Sequence, residues 1–223
     1  MENKPKILWK NAQIAHSRGL GTGFRFVTRY CDLLVAPWLL DAAMLSLYLF
    51  ARGASLCIPA ALSMLGRKAA PQLRDMARAT GQSRFQAAAA RVNLGYMMIC
   101  GAMALIVIGV TPLLLEMLQQ ADPEFSEILI WLVIGQSAPV FFGATGLLMH
   151  ALDRAAFNDL LHGVTMLFFL LGIFTVTAQE TVPIAQTFAA AQLAHGAICA
   201  VLLTQSGVWP GLTALFHKEI KLF

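Results

Sequence analysis

Four long runs of this sequence contain no Asp, Glu, Lys or Arg: residues 92–115, 128–152, 160–179 and 181–217. A helix needs about 20 apolar residues to cross the hydrocarbon core of a bilayer, and each run is long enough. The chain is 58% hydrophobic and 13% charged, whereas a soluble domain is typically about 45–50% apolar and about 25% charged. These runs predict an all-α protein, built as a polytopic bundle of transmembrane helices.

The charges that separate the apolar runs are sorted by sign. Lys and Arg concentrate in the N-terminal arm, in segment 67–91, at Arg154 and at the C-terminal end. The acidic residues of the intervening loops are Asp41, Glu116, Asp122, Glu124, Glu127 and Glu180. Because cytoplasmic loops carry an excess of Lys and Arg, both termini are expected on the cytoplasmic side of the membrane. Arg52 is the exception, because it falls inside a predicted span.

The number of crossings depends on the stretch from Leu33 to Gly66, which is apolar except for Asp41 and Arg52. A single crossing there would place segment 67–91, with its six basic residues, outside. Two crossings keep that segment inside, but 34 residues at 1.5 Å each reach only about 51 Å, so the first helix must begin near Leu20. The six predicted spans are residues 20–38, 43–66, 92–115, 128–150, 158–178 and 183–205.

The three basic segments outside the spans are expected to lie at the cytoplasmic surface, and the acidic loops on the other side of the membrane. Residues 1–19 form a basic arm, and residues 206–223 form an interfacial C-terminal segment. Segment 67–91 has the pattern of an amphipathic, Ala-rich helix that is interrupted at Thr80-Gly81. It is interpreted first as a connector between spans, and otherwise as a helix that binds anionic lipid headgroups.

The motifs of common enzymes and metal sites are not found in the sequence. It contains no HExxH, GxSxG or Walker pattern. The four cysteines lie singly in apolar surroundings, and His150, His162 and His195 lack the spacing of a converging ligand set. We therefore expect no enzymatic activity, no cofactor, no metal site and no nucleic-acid partner.

Ionisable residues inside the first two predicted spans form the candidate site. Arg25, Arg29 and Asp32 are spaced i, i+4, i+7 and so share one helix face. Charged groups at membrane depth are costly and usually face a protein interior or a water-filled cavity. Arg29 and Asp32 are close enough to pair, which would leave Arg25 and Arg52 for an anion whose phosphate oxygens a guanidinium binds bidentately. Alternatively, Arg25 and Arg29 snorkel to the headgroups.

The fourth predicted span adds polar and helix-loosening residues. Gln136 lies at mid-membrane and completes the list of candidate cavity residues. Pro139 should kink the helix, and Gly143 and Gly146 allow other helices to approach closely. Bent helices with buried amides occur in carriers that rock around a central cavity, and also in static bundles.

Short motifs follow one another along residues 20–175 in a familiar order. They are Asp32-Leu33-Leu34 with Leu47-Tyr48 and Ala51, Ala70-Pro71-Gln72-Leu73 with Gly81, Pro123-Glu124-Phe125, and Ile134-Gly135-Gln136 with Gly143, Gly146-Leu147-Leu148 and Asp153-Arg154. Together they resemble the carboxy-terminal half of the multidrug/oligosaccharidyl-lipid/polysaccharide (MOP) exporter superfamily, in particular its O-antigen-type flippases of polysaccharide biosynthesis. Ser46 and Asp153 depart from the pattern, since the family usually has Gly at both positions.

The resemblance implies one six-helix lobe of a MATE-like fold, where family members have two lobes. It also implies alternating access that moves a lipid-linked oligosaccharide, an undecaprenyl-diphosphate glycan, to the outer leaflet. This chain would then need a second lobe, from a homodimer or from another polypeptide. Basic residues line the cavity in full-length relatives and suit a pyrophosphate; Arg25, Arg29 and Arg52 are the candidates here.

Two other functions stay open. A cation-coupled multidrug exporter of the same superfamily would use acidic residues in mid-helix, and after Asp32 none is predicted well inside a span. A membrane scaffold or accessory subunit without transport, or a truncated remnant, would use the arginines only for stability.

Overall fold

The computed structural model describes residues 20–79, 82–117, 123–176 and 180–211. Helices joined by turns and short loops make up these ranges, which contain no strand, so the all-α prediction is confirmed for this part of the chain. In chain order the helices are α1 (Leu20–Leu39), α2 (Ala42–Ser55), α3 (Cys57–Ala79), α4 (Gln82–Met117), α5 (Pro123–Gln136), α6 (Ala138–Phe142), α7 (Thr145–Ala151), α8 (Ala155–Ile173) and α9 (Thr181–Gln205).

Five helical stretches are long and apolar enough to cross a membrane. They are Ala42–Arg78, Arg84–Met117, Pro123–Phe142, Ala155–Ile173 and Thr181–Gln205. This arrangement is consistent with a multi-pass membrane protein, and each stretch contains most of one predicted span. The first predicted span corresponds to α1, whose 20 residues give about 30 Å of helix. This helix is not among the five apolar stretches. It carries three charged residues, Arg25, Arg29 and Asp32, on successive helical turns.

Prolines interrupt two of the membrane-spanning stretches. Leu56 separates α2 from α3, three residues before Pro59, and Ser137 separates α5 from α6, two residues before Pro139. Because a proline has no N–H to donate to the carbonyl four residues earlier, the helical hydrogen-bond ladder is broken at these points. The predicted kink at Pro139 is therefore confirmed. A second break follows at Gly143, whose φ of 71° lies in the left-handed region that glycine adopts without strain.

Segment 67–91 does not form a separate surface helix. Residues 67–79 continue α3 and residues 82–91 begin α4, so the two helices run on beyond the predicted spans. Leu73, Phe85 and Ala89, on the apolar side of this segment, are buried in a core cluster with residues of α7 and α9. The apolar side of this amphipathic segment therefore packs against other helices of the protein. The predicted basic arm at 1–19 and most of the predicted interfacial segment at 206–223 lie outside the described residues.

Helices α5 and α9 lie at the centre of the bundle. α5 approaches α9 so closely that a Cβ on Gly135 would lie 2.9 Å from the Cα of Ala189. Since lipid tails are as apolar as the side chains, such close van der Waals packing is a main force that holds membrane helices together. α1 packs along α8, and α3 packs along α4. The space between α1, α3, α5 and α9 is left for a cavity.

A polar cavity between the membrane helices

Two adjoining cavities lie in the space between α1, α3, α5 and α9. The larger has a volume of about 490 Å³ and the smaller about 270 Å³. They share the lining residues Arg29, Pro59, Gln136 and Gln192. A pair of amides and a guanidinium therefore sit on the wall common to both, in a bundle that is otherwise largely apolar.

The breaks in the helices shape this wall. Pro59, three residues after the break between α2 and α3, lines both cavities. Pro139, in the first turn of α6, and Gly143, which follows α6, line the smaller cavity. Irregular backbone is tolerated at membrane depth only where it is buried in protein or lines a cavity. The helix breaks near Pro59 and Pro139 therefore lie beside the polar side chains of the cavity wall.

Arg29 is the cationic group most open to the cavities. Its side chain is exposed and lines both of them. Within the described part of the chain no carboxylate lies within ion-pair distance of its guanidinium. The prediction that Arg29 faces a cavity is consistent with this placement, and the charge is available to an anion.

Arg25 lines the larger cavity and is held by an acidic residue of another helix. Its Nε lies 2.9 Å from Oδ1 of Asp159, a carboxylate that is only 3% exposed, whereas Arg25 itself is 38% exposed. Nearby, the Thr28 hydroxyl donates to the carbonyl of His162 over 2.8 Å, so α1 and α8 are joined at two points. Arg25 was expected to be unpaired, and this expectation is wrong: α8 brings Asp159 to the same depth as Arg25.

Asp32 and Arg52 form the most buried ionic group of the structure. Arg52 Nε lies 2.6 Å from Asp32 Oδ2, and the side chains are 1% and 0% exposed. The Tyr48 hydroxyl donates to the same carboxylate oxygen over 3.0 Å. Arg52 also donates to the Arg29 carbonyl over 2.6 Å and stacks over the Phe188 ring at 4.3 Å. These contacts surround the guanidinium with protein on several sides.

This geometry corrects two sequence-based predictions. Asp32 pairs with Arg52 and not with Arg29, because α2 runs back beside α1 and brings Arg52 to the buried face of that helix. Arg52 is in consequence not left over for an anion, and it is absent from the linings of both cavities. Of the candidate residues, Arg25, Arg29 and Gln136 line the cavities, whereas Asp32 and Arg52 fix the helices behind them.

Two histidines stand on the cavity walls. The rings of His162 and His195 stack at 4.2 Å with 17° between their planes; His162 lines the larger cavity and His195 the smaller. His195 Nδ1 lies 3.0 Å from the Thr165 hydroxyl, and its Nε2 lies 3.6 Å from the thiol of Cys199. Over the described ranges, no group of three or more His, Cys, Asp or Glu side chains is arranged to hold a metal ion.

Sequence reasoning missed Asp159 and Gln192. Asp159 is the second residue of the predicted fifth span and was assigned no role from the sequence, although an acidic residue at the start of an apolar run can indicate a buried partner. Gln192 is an amide in the middle of the last span, the same signal that singled out Gln136. Its side chain also donates to the carbonyl of Thr28 over 3.4 Å, which ties α9 to α1.

No family model, no curated protein and no solved structure matches this chain.

Proposed function

We propose that this chain is one lobe of a flippase that moves a polyprenyl-diphosphate-linked oligosaccharide across the bacterial inner membrane by alternating access. The observation that carries the proposal is that Arg25 and Arg29 line one cavity of about 490 Å³ within a bundle of apolar helices. Ligand sites commonly enclose about 300–1,000 Å³, so the volume suits a diphosphate headgroup.

The electrostatics of the cavity favour an anion. Arg29 presents a guanidinium with no described carboxylate beside it, and Arg25 has one close partner in Asp159. In a medium of low dielectric constant a cation attracts phosphate oxygens far more strongly than in water, and a guanidinium binds two of them at once. Gln136 and Gln192 add amide donors to the shared wall.

The exposure of Arg29 supports the need for a second lobe. Arg29 lies in the middle of α1, where contact with lipid tails would be costly for a charge. Its side chain is nevertheless exposed. A second lobe, from another copy of the chain or from a separate polypeptide, would enclose the Arg29 side of the cavity and provide the other half of an alternating-access carrier.

The other candidate functions have less support. A cation-coupled exporter would need a carboxylate free to bind its ion, and the buried carboxylates Asp32 and Asp159 are each paired with an arginine. A scaffold without transport would use the arginines as structural groups only. It predicts that replacing Arg29 changes stability at most and leaves ligand binding and glycan export unaffected.

The first experiment measures ligand binding to the purified chain in lipid nanodiscs. Farnesyl diphosphate is the probe, and farnesol, which has the same tail without the charge, is the matched ligand control. We expect Arg29→Gln to weaken diphosphate binding by about tenfold or more, since a hydrogen bond to a charged group contributes roughly 1.5–3 kcal/mol. Arg67→Gln, an exposed arginine outside both cavities, is the matched control and should bind as the parent does.

Export is then tested in cells that depend on the protein for surface glycan. Arg29→Gln should lower the amount of exported glycan at unchanged protein level, and Arg67→Gln should not. Equal binding of farnesol and farnesyl diphosphate, or full export by the Arg29→Gln variant, would refute the anionic-substrate proposal.

A further inference from the structure

A short helix is bounded by two breaks at the wall of the smaller cavity. α6 is only five residues long and is bounded by Ser137 on one side and Gly143 on the other. Phe142, at its end, lines the cavity and lies against Gly196 of α9, where a Cβ would come within 2.5 Å of the ring. An element bounded by two non-helical residues can turn as a unit, as hinged segments do.

The chain that follows α9 folds back onto this short helix. Val208 is 3% exposed and belongs to the core cluster formed with α3, α4 and α7. Gly211 lies against the C-terminal end of α6. Its φ is 57°, and a Cβ at this position would lie 2.7 Å from the Phe142 carbonyl carbon. Gly211, in the chain after α9, thus packs against the backbone at the C-terminal end of α6 and at Gly143.

Two amide side chains of α4 fasten these elements together. Gln86 donates to the Gly207 carbonyl and accepts from the Trp209 N–H over 3.4 Å. Asn93, only 1% exposed, accepts from the Ala144 N–H over 2.9 Å and donates to the Trp209 carbonyl over 3.4 Å. Asn93 therefore holds the break after α6 and the chain after α9 at one point.

We propose that residues 206–211 form a strap that latches α6 in place and so keeps the smaller cavity closed on that side. Releasing the strap frees α6 to turn about Ser137 and Gly143 and opens the cavity wall. Gln86 and Asn93 are positioning residues for this closure. The inference concerns the wall of the cavity and does not depend on which substrate the cavity binds.

The test uses a cysteine on the wall as a reporter of opening. Thr145→Cys places a thiol in the smaller cavity just after the Gly143 break, at a position that is 8% exposed. The exposed Cys57 is replaced by Ser, while Cys31, Cys100 and Cys199 are buried and remain. The rate of modification by a water-soluble maleimide is measured on the full chain in nanodiscs, and the same chain without Thr145→Cys gives the background rate.

Two variants release the strap by different means. Gly211→Ala introduces a Cβ that collides with the Phe141 carbonyl, at a φ unfavourable for alanine. Gln86→Ala removes the side-chain hydrogen bonds to Gly207 and Trp209 of the strap. We expect both to raise the reporter's modification rate about tenfold. Gln86→Ala removes two hydrogen bonds to the strap and Gly211→Ala adds a backbone clash, and either change shifts the equilibrium toward the open wall. Gly101→Ala, on α4 with open space around it, is the matched control and should leave the rate unchanged.

Every outcome bears on the strap. Faster modification in the Gly211→Ala and Gln86→Ala variants, with the parental rate in the Gly101→Ala variant, supports it. If Gly211→Ala does not fold, Gln86→Ala decides alone. Parental rates in a folded Gln86→Ala chain, or equal acceleration by Gly101→Ala, would overturn the proposal. Failure here would leave diphosphate binding at Arg29 untouched, since that is measured separately.

Discussion

The guanidinium of Arg52 and the carboxylate of Asp32 form an ion pair that is almost completely removed from solvent, with Nε 2.6 Å from Oδ2. The pair joins α1 to α2, and Arg52 also donates to the Arg29 carbonyl. Arg52 thus contacts the backbone of Arg29, whose own side chain lines both cavities. Among the described residues, the most buried ion pair thus lies behind the cavity and does not line it.

Breaking this pair should destabilise the fold strongly. Arg52→Leu leaves Asp32 and the Tyr48 hydroxyl without their cation, and removal of one partner of a buried pair typically costs about 3–5 kcal/mol. The double variant Arg52→Leu/Asp32→Leu removes the stranded charge and should recover much of that loss. Reversible unfolding in mixed detergent micelles measures both. If the double variant is as unstable as the single one, the pair is not what holds α1 to α2.

Asp159 should restrain the binding of anions. Its carboxylate sits 2.9 Å from Arg25 and offsets part of the cavity's positive charge. Asp159→Asn should therefore tighten binding of farnesyl diphosphate at least about fivefold, since two unit charges about 4 Å apart interact by about 1 kcal/mol even in bulk water and more strongly in a buried site. Asp153→Asn is the matched control, because that carboxylate pairs with Arg78 at the exposed surface. Equal tightening by both variants would point to net charge and not to this site.

The close approach of α5 and α9 should tolerate no side chain at Gly135. Gly135→Ala places a methyl group against the backbone of Ala189, which cannot move aside as a flexible side chain could. We expect a loss of about 1–3 kcal/mol, typical of overpacking. Gly101→Ala meets nothing within 4 Å and should be neutral or slightly stabilising, since alanine favours a helix. Unfolding measurements on the two variants, side by side, would contradict the prediction if they agreed.

The sorting of charges predicts which loops face the cytoplasm. In a Cys57→Ser background, Ala42→Cys at the beginning of α2 should react with an impermeant thiol reagent added to intact cells. Lys68→Cys in α3 should react only after the membrane is permeabilised, because basic segments stay inside. Both positions are exposed in the structure. The reverse pattern would invert the orientation and assign the acidic loops to the cytoplasm.

The ion pair of Arg52 with Asp32 could not be predicted from spacing along the sequence. Spacing along α1 identified Arg29 and Asp32 as neighbours, and a local pair was the natural expectation. The structure instead gives Asp32 a partner from α2. Arg52 also donates to Ser55 and to a backbone carbonyl, and the Tyr48 hydroxyl donates to the Asp32 carboxylate, so the buried charges of both partners are satisfied together. Such a choice depends on how two helices lie against each other, which no spacing within one helix records.

The sequence alone determined the properties that are local along the chain. Charge-free runs long enough to cross a bilayer predicted apolar helices, and in the structure such helices cover most of each run. Pro139 predicted a broken helix. Both predictions succeeded because hydropathy and a missing N–H act within a few residues. Tertiary structure decided the pairing of Arg25 with Asp159 and of Arg52 with Asp32, and the cavity that Gln136 and Gln192 share. Those contacts join residues far apart in sequence, and the rotation and depth at which the helices pack set which side chains meet.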